Sequence, residues 1–267
     1  MKSYISYFKI RFITNLQYRT DAIAGIFNQI FFGLIFIMVY LAFYESGGDN
    51  LPMNFNEIVT YVWLTQAFFA LIYPYEKDNE LLSIIKNGNL AYELIRPQNF
   101  YFKWYIKMLS KKIVATILRF SPIIILGLIL PYPFHLSLPI SLENFIIFIL
   151  AIILSSLLIT SLCLFIHILT IFTLDEKGFI NLYSTIAELF MGAIVPIPFF
   201  PIWMQKISSL LPFRYITDFP FRIYSGSIPI TEGYTMLLIS FIWITISITT
   251  GYIISNIALK KAVIQGG

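Results

Sequence analysis

Between Phe145 and Phe172 the chain carries no lysine, arginine, aspartate or glutamate. About twenty apolar residues suffice to cross the roughly 30 Å hydrocarbon core of a bilayer as a helix. Lipid offers backbone groups no water, so such a run crosses as a helix that satisfies its own hydrogen bonds. The alternative is a large soluble core, and the composition excludes it. The chain has 267 residues, 58% hydrophobic and only 12% charged, where a soluble domain carries about a quarter. Six stretches qualify or nearly qualify as spans, near residues 22–44, 58–74, 113–130, 145–172, 179–200 and 234–258. The sequence therefore predicts an all-α integral membrane protein, one transmembrane domain over residues 1–267. In the shortest span, Tyr61, Trp63 and Tyr73 stand near the ends, where amphipathic rings favour headgroups.

Lysine and arginine set the orientation, because cytoplasmic loops retain them in excess. Lys2, Lys9, Arg11 and Arg19 precede the first span, while the connection from Glu45 to Glu57 has no basic residue. Lys77, Lys86, Arg96, Lys103, Lys107, Lys111 and Lys112 crowd the second connection, and the third, Pro131 to Asn144, has none. Lys177, Lys260 and Lys261 complete a set that places both termini in the cytoplasm. The fifth connection, 201–233, is external in this scheme although it holds Lys206, Arg214 and Arg222. The net charge of +4 is thus a signal of topology. No dense basic tract suits a phosphate backbone, which argues against a nucleic-acid partner. The amino terminus lacks a compact cleavable leader, so the first span is expected to double as the insertion signal.

Three prolines between Pro196 and Pro201 follow Gly192, and Leu211-Pro212-Phe213 comes soon after. Each proline removes a backbone donor and crowds the preceding turn, so the helix must break here. A break in lipid survives where protein or a water-filled cavity receives the freed groups, and broken segments line the route of a solute in many transporters. A plain exit loop is the other reading.

Outside the bilayer, residues 1–21 read as an interfacial helix with Met1, Tyr4, Ile5, Phe8, Phe12 and Leu16 on one face. The second connection reads as a compact elbow: Asp78 caps a helix running through Glu80 and Lys86, Asn87-Gly88 stops it, Asn89 caps a further turn, and Arg96-Pro97 ends that. No phosphate-binding loop, HExxH or GxSxG motif occurs, so the chain has no recognisable means of hydrolysing nucleotide by itself and energy for any transport must come from elsewhere. His135 and His167 are the only histidines, and Cys163 the only cysteine, so neither a clustered metal site nor an internal disulfide is expected. Glu188 is the carboxylate well inside a predicted span; it belongs to a solute path or a protonatable switch, or pairs with a neighbouring polar group. Interhelical hydrogen bonds are the expected role of Asn28, Gln29 and Gln66, and Arg119 is expected to snorkel.

With these residues in view, the chain resembles the membrane subunits of ABC-2-type exporters. The likeness rests on Gly88-Asn89-Leu90-Ala91-Tyr92-Glu93-Leu94-Ile95-Arg96-Pro97 and on Gly192, Pro196, Pro201, Trp203, Leu211-Pro212-Phe213, Pro220 and Gly226, in that order along six spans. It implies a six-helix permease, not itself an enzyme, that pairs with a second permease half, the same chain or a homologous one, and with a cytosolic ABC ATPase dimer. ATP and Mg would sit on that partner and no cofactor on this chain. By resemblance, Asp78, Glu80, Lys86, Asn87, Gly88, Asn89, Leu94, Arg96 and Pro97 form the element that couples to the ATPase. Pro198, Pro201, Pro212, Phe213, Arg214, Pro220, Arg222 and Gly226 belong to external re-entrant helices, with the two arginines near anionic headgroups or substrate. Glu188, Gly192 and Pro196 are candidates for the translocation pathway by position. The protein would reside, multi-pass, in a bacterial plasma membrane among its lipids and export a hydrophobic or amphipathic solute. An ion-coupled secondary transporter and an intramembrane enzyme are the competing readings.

Overall fold

The computed structural model describes residues 2–17, 19–47, 51–87, 89, 90, 93, 95, 97–173 and 177–261. Its helices are α1 (Lys2–Asn15), α2 (Arg19–Ser46), α3 (Phe55–Ala67), α4 (Phe69–Ile72), α5 (Asn79–Lys86), α6 (Phe100–Ile129), α7 (Leu142–Thr173), α8 (Lys177–Phe190), α9 (Ile202–Leu210), α10 (Asp218–Ser225) and α11 (Ile230–Lys261). Short 3-10 turns cover Ile197–Phe199 and Pro212–Tyr215. Among the described residues four helices, α2, α6, α7 and α11, are long and apolar enough to cross a membrane.

The other two expected spans take a different form. Residues 58–74 fall into α3 and α4, which meet at Phe68, whose ring packs against Phe120, Phe148 and Phe221. The expected span 179–200 stops at Phe190, because Gly192 adopts φ +76° and the prolines follow. At 14 residues α8 is about 21 Å long, short of the hydrocarbon thickness. In the other direction, the span expected at 113–130 belongs to a helix that starts at Phe100, where Asn99 caps the first turn by accepting from the Phe102 amide at 3.3 Å. Lys103, Lys107, Lys111 and Lys112 therefore stand on α6 and not in a loop. Their spacing of four puts the first three on one face, and apolar residues on the other faces carry the helix on.

Two apolar clusters hold the helices together. The larger joins α3, α4, α7, α10 and α11 around Trp63, Phe148, Phe221 and Tyr224. Trp63 is fully buried and donates from Nε1 to the Phe134 carbonyl at 2.8 Å, and Tyr61 is 2% exposed, so neither is a headgroup anchor. The smaller cluster seats Leu81, Ile85 and Leu90 of the elbow against Trp104, Tyr105 and Met108 of α6 and Leu164 and Ile168 of α7. Helix α1 packs along α6, and the Tyr4 hydroxyl accepts from the Asn99 amide at 2.9 Å.

Candidate functional site

The elbow is fastened by charge as well as by apolar contact. The Asp78 carboxylate accepts from the Leu81 amide at 2.9 Å, the predicted cap, and lies 2.7 Å from Lys107 Nζ. The same ammonium sits 2.7 Å from Glu80 and 4.5 Å from the centre of the Trp104 ring. One turn down α6, Lys103 pairs with Glu93 in a fully buried bond; one turn up, Lys111 pairs with Glu76 at 2.7 Å on the surface. Lys112 donates to the carbonyls of Leu71 and Tyr73, at 3.2 and 2.9 Å, where the chain leaves α4. Arg11 of α1 closes the set, 3.4 Å from Glu80. Burial pushes the Asp78 and Glu80 carboxyls up, but the Lys107 hydrogen bond and charge outweigh it and leave both below their ordinary values.

His167 completes the seat from α7. Its Nε2 accepts from the Asp78 amide at 3.1 Å and its Nδ1 lies 2.8 Å from the Cys163 carbonyl. That pair of partners requires the neutral ring protonated at Nδ1, so His167 is an interior hydrogen-bonding group. Asp78 is thereby turned inward, and the face left for a partner is formed by Glu80, Ser83, Lys86, Asn87 and Asn89, with Ile95 80% exposed and Pro97 exposed beyond them. Gly88, Leu94 and Arg96 lie outside the described residues. A cleft of about 470 Å³ separates the elbow from α1 and α2, and its charged groups are largely paired with one another. Arg119 borders it, crossing Gly25 to donate to the Asp21 carbonyl at 3.3 Å.

A second pocket, about 260 Å³, lies between α2, the α3–α4 bend and the end of α8. It brings together Glu188, Asn28, Gln29 and Gln66, residues far apart in sequence. No side-chain hydrogen bond or ion pair among the described residues engages any of the four, so the expected interhelical bonds of the amides are not made among those residues. Thr65 and Phe69 complete one wall, Phe32 and Phe36 another, and Met191, Ala193 and Ile194 follow Glu188 past the break. Of the three pathway candidates, only Glu188 lines the pocket. Gly192 and Pro196 stand behind it as structural elements. The Gly192 carbonyl accepts from the buried Tyr61 hydroxyl at 2.7 Å, and Pro196 is a buried residue that leads into the first 3-10 turn.

Protein groups receive the backbone polarity that the break releases. The Met191 carbonyl accepts from the Asp218 amide at 3.2 Å, and the Ile197 amide donates to the Asp218 carboxylate at 3.2 Å. Gln205 of α9 donates to the carbonyls of Pro198 and Phe200, at 3.1 and 2.8 Å. Pro201 precedes α9, Pro212 opens the second 3-10 turn, and Pro220 falls in the first turn of α10, where no intrahelical donor is needed. Phe213 is buried against Tyr183, and Gly226 ends α10 at φ +80°. Arg214 and Arg222 both reach the fully buried Asp218, at 3.5 and 3.4 Å, a partner within the chain that the expectation of headgroups or substrate did not include. Asp218 is the residue that the sequence reading missed. Its signal was the spacing of four from each arginine, which puts opposite charges on one face.

Comparison with known protein families settles the broad class. A family model described as ABC-2 family transporter protein matches residues 26–266. The chain belongs to the ABC-2 transporter family. The ABC-2 match runs from inside α2 almost to the carboxyl terminus, so it takes in both the elbow and the pocket. No match is found among curated proteins. ABC-2 membership with four long apolar helices makes this a multi-pass membrane protein, a transport subunit of a class that normally works with an ATPase partner.

Proposed function

We propose that the chain is the permease subunit of an ATP-driven exporter in a bacterial plasma membrane, with both termini cytoplasmic and the energy supplied by a cytosolic ABC ATPase dimer carrying ATP and Mg. The α3–α4 pair and α8 join the four long helices as six membrane-embedded segments, and α9 and α10 form the external re-entrant cap. A second permease half, identical or homologous, faces the Glu188 pocket across a shared path. The observation that carries the reading is the elbow. An elbow built on a short amphipathic helix and fastened to the long helix α6 by the buried pairs Asp78–Lys107 and Glu93–Lys103 can pass a push at its exposed face into the membrane without yielding locally. ATP binding and release by the partner shifts the permease between inward and outward forms only if the partner binds those forms with different affinity.

A photocrosslinking residue placed at Lys86 or Ile95 is expected to capture an ATPase subunit in the native host. Capture equally efficient from Ile129, at the far end of α6, or none from any position, overturns the coupling assignment. The Glu188 carboxylate, which no described residue pairs with, supports one other reading, an ion-coupled transporter. Uptake into vesicles driven by a proton gradient without ATP would decide for it.

A further inference from the structure

The Glu188 pocket has the chemistry of a site for a lipophilic monocation. A carboxylate at membrane depth costs several kcal/mol unless something complements it, and no described residue hydrogen-bonds or pairs with Glu188. Among the described residues the pocket lining contains no lysine, arginine or histidine, and Lys112, which reaches the Tyr73 backbone, is held on the carbonyls of Leu71 and Tyr73. It supplies aromatic rings instead: Phe32, Phe36, Phe69 and Tyr73 all line the cavity. Aromatic faces attract cations, most strongly when the cation has left water, and a carboxylate beside such rings adds the matching charge. Most of the remaining surface is apolar, and the amides of Asn28, Gln29 and Gln66 leave donors and acceptors to orient a bound molecule.

Size and access agree with this chemistry. About 260 Å³ holds a cationic head with a single ring or a short branched chain. Phe32, Tyr73 and Ile194 line the pocket while being 44, 41 and 55% exposed, so the cavity opens at the molecular surface and a longer apolar tail can trail out of it. We infer that the transported solute, under the permease reading above, is a lipophilic amine or quaternary ammonium compound whose cationic centre is held at Glu188 among these rings.

The test uses the purified full chain in nanodiscs, without any ATPase, and equilibrium dialysis corrected by empty nanodiscs. The probes are benzyltrimethylammonium and its neutral isostere neopentylbenzene, which differ only in having a positively charged quaternary nitrogen or a neutral quaternary carbon at one position. The cation is expected to bind at least about tenfold tighter, a preference that Glu188→Gln abolishes and Glu188→Asp retains. Phe69→Leu, in a chain that remains monodisperse, is expected to weaken the cation about threefold to fivefold and the isostere much less. Equal binding of the two probes, or a preference that survives Glu188→Gln, overturns the inference. Because no ATPase enters the assay, those results leave the permease assignment standing. Conversely, cation binding in a chain that recruits no ATPase would keep the site and remove the exporter.

Discussion

Lys107→Met isolates the bond that fastens the elbow. In the native chain the ammonium lies 2.7 Å from Asp78 and 2.7 Å from Glu80, and the Asp78 side chain is 9% exposed. Removing the ammonium leaves a buried carboxylate holding only the Leu81 amide, a loss of about 3–5 kcal/mol. Glu80 is half exposed, so water screens most of its share and adds under about 1 kcal/mol. At 1.4 kcal/mol per factor of ten, opening of the elbow should rise by about two to four orders of magnitude. Hydrogen exchange reads this directly at the Leu82 amide, whose bond to the Asp78 carbonyl closes the first turn of α5. Lys111→Met is the matched control, because its partner Glu76 and the lysine itself are 36 and 44% exposed, and its effect should stay under about fivefold. Asp78→Asn keeps a capping side chain and removes the stranded charge, so the double variant with Lys107→Met should recover part of the loss. Exchange in Lys107→Met no faster than in Lys111→Met, with the helices of the membrane region still protected, refutes the clamp.

Lowered pH gives a second view of the same contact. Asp78 and Glu80 titrate below their ordinary values in the folded chain, so their contribution is complete at neutral pH. It declines once pH falls below the unfolded carboxylate range and is gone only below the depressed folded values; elbow protection lost already at pH 6 would contradict this sign. Gly226→Ala should lower stability in detergent by about 1–2 kcal/mol, mainly because the residue sits at positive φ, with a smaller steric share from the exposed Ile140 side chain, whose Cδ1 a Cβ would meet at 1.9 Å. Adding Ile140→Ala should return only the steric part. Asp218→Asn leaves Arg214 and Arg222 without their buried counter-charge, and limited proteolysis should then cut the 191–217 segment much faster; adding Arg222→Gln should slow it again.

The membrane class was legible from apolar runs such as Phe145–Phe172, and the break after α8 from Gly192 and its prolines. Both depend on local chemistry, which a single sequence carries. The α5 cap at Asp78 was legible for the same reason. The extension of α6 back to Phe100 was not legible from the apolar run, because four lysines interrupt it, although the spacing of Lys103, Lys107 and Lys111 on one helical face was a guide. Where the broken backbone finds partners was not legible, since Tyr61 and Gln205 answer carbonyls that tertiary packing brings to them. Asp218 lay hidden in a stretch assigned to the exterior, where two arginines seemed to need headgroups. The convergence of Glu188 with Asn28, Gln29 and Gln66 depends on how α2, α3 and α8 pack. Each polar residue was visible alone, and the pocket was not.

Co-purification tests the central claim most directly: tagged chain is recovered in mild detergent from its native host, and the recovered material is identified by mass spectrometry and assayed for ATP hydrolysis. The account predicts an ABC ATPase in the complex, lost together with the hydrolytic activity when the exposed elbow face is altered at Glu80, Lys86 and Ile95. Reproducible recovery of the intact chain with no ATPase would contradict it.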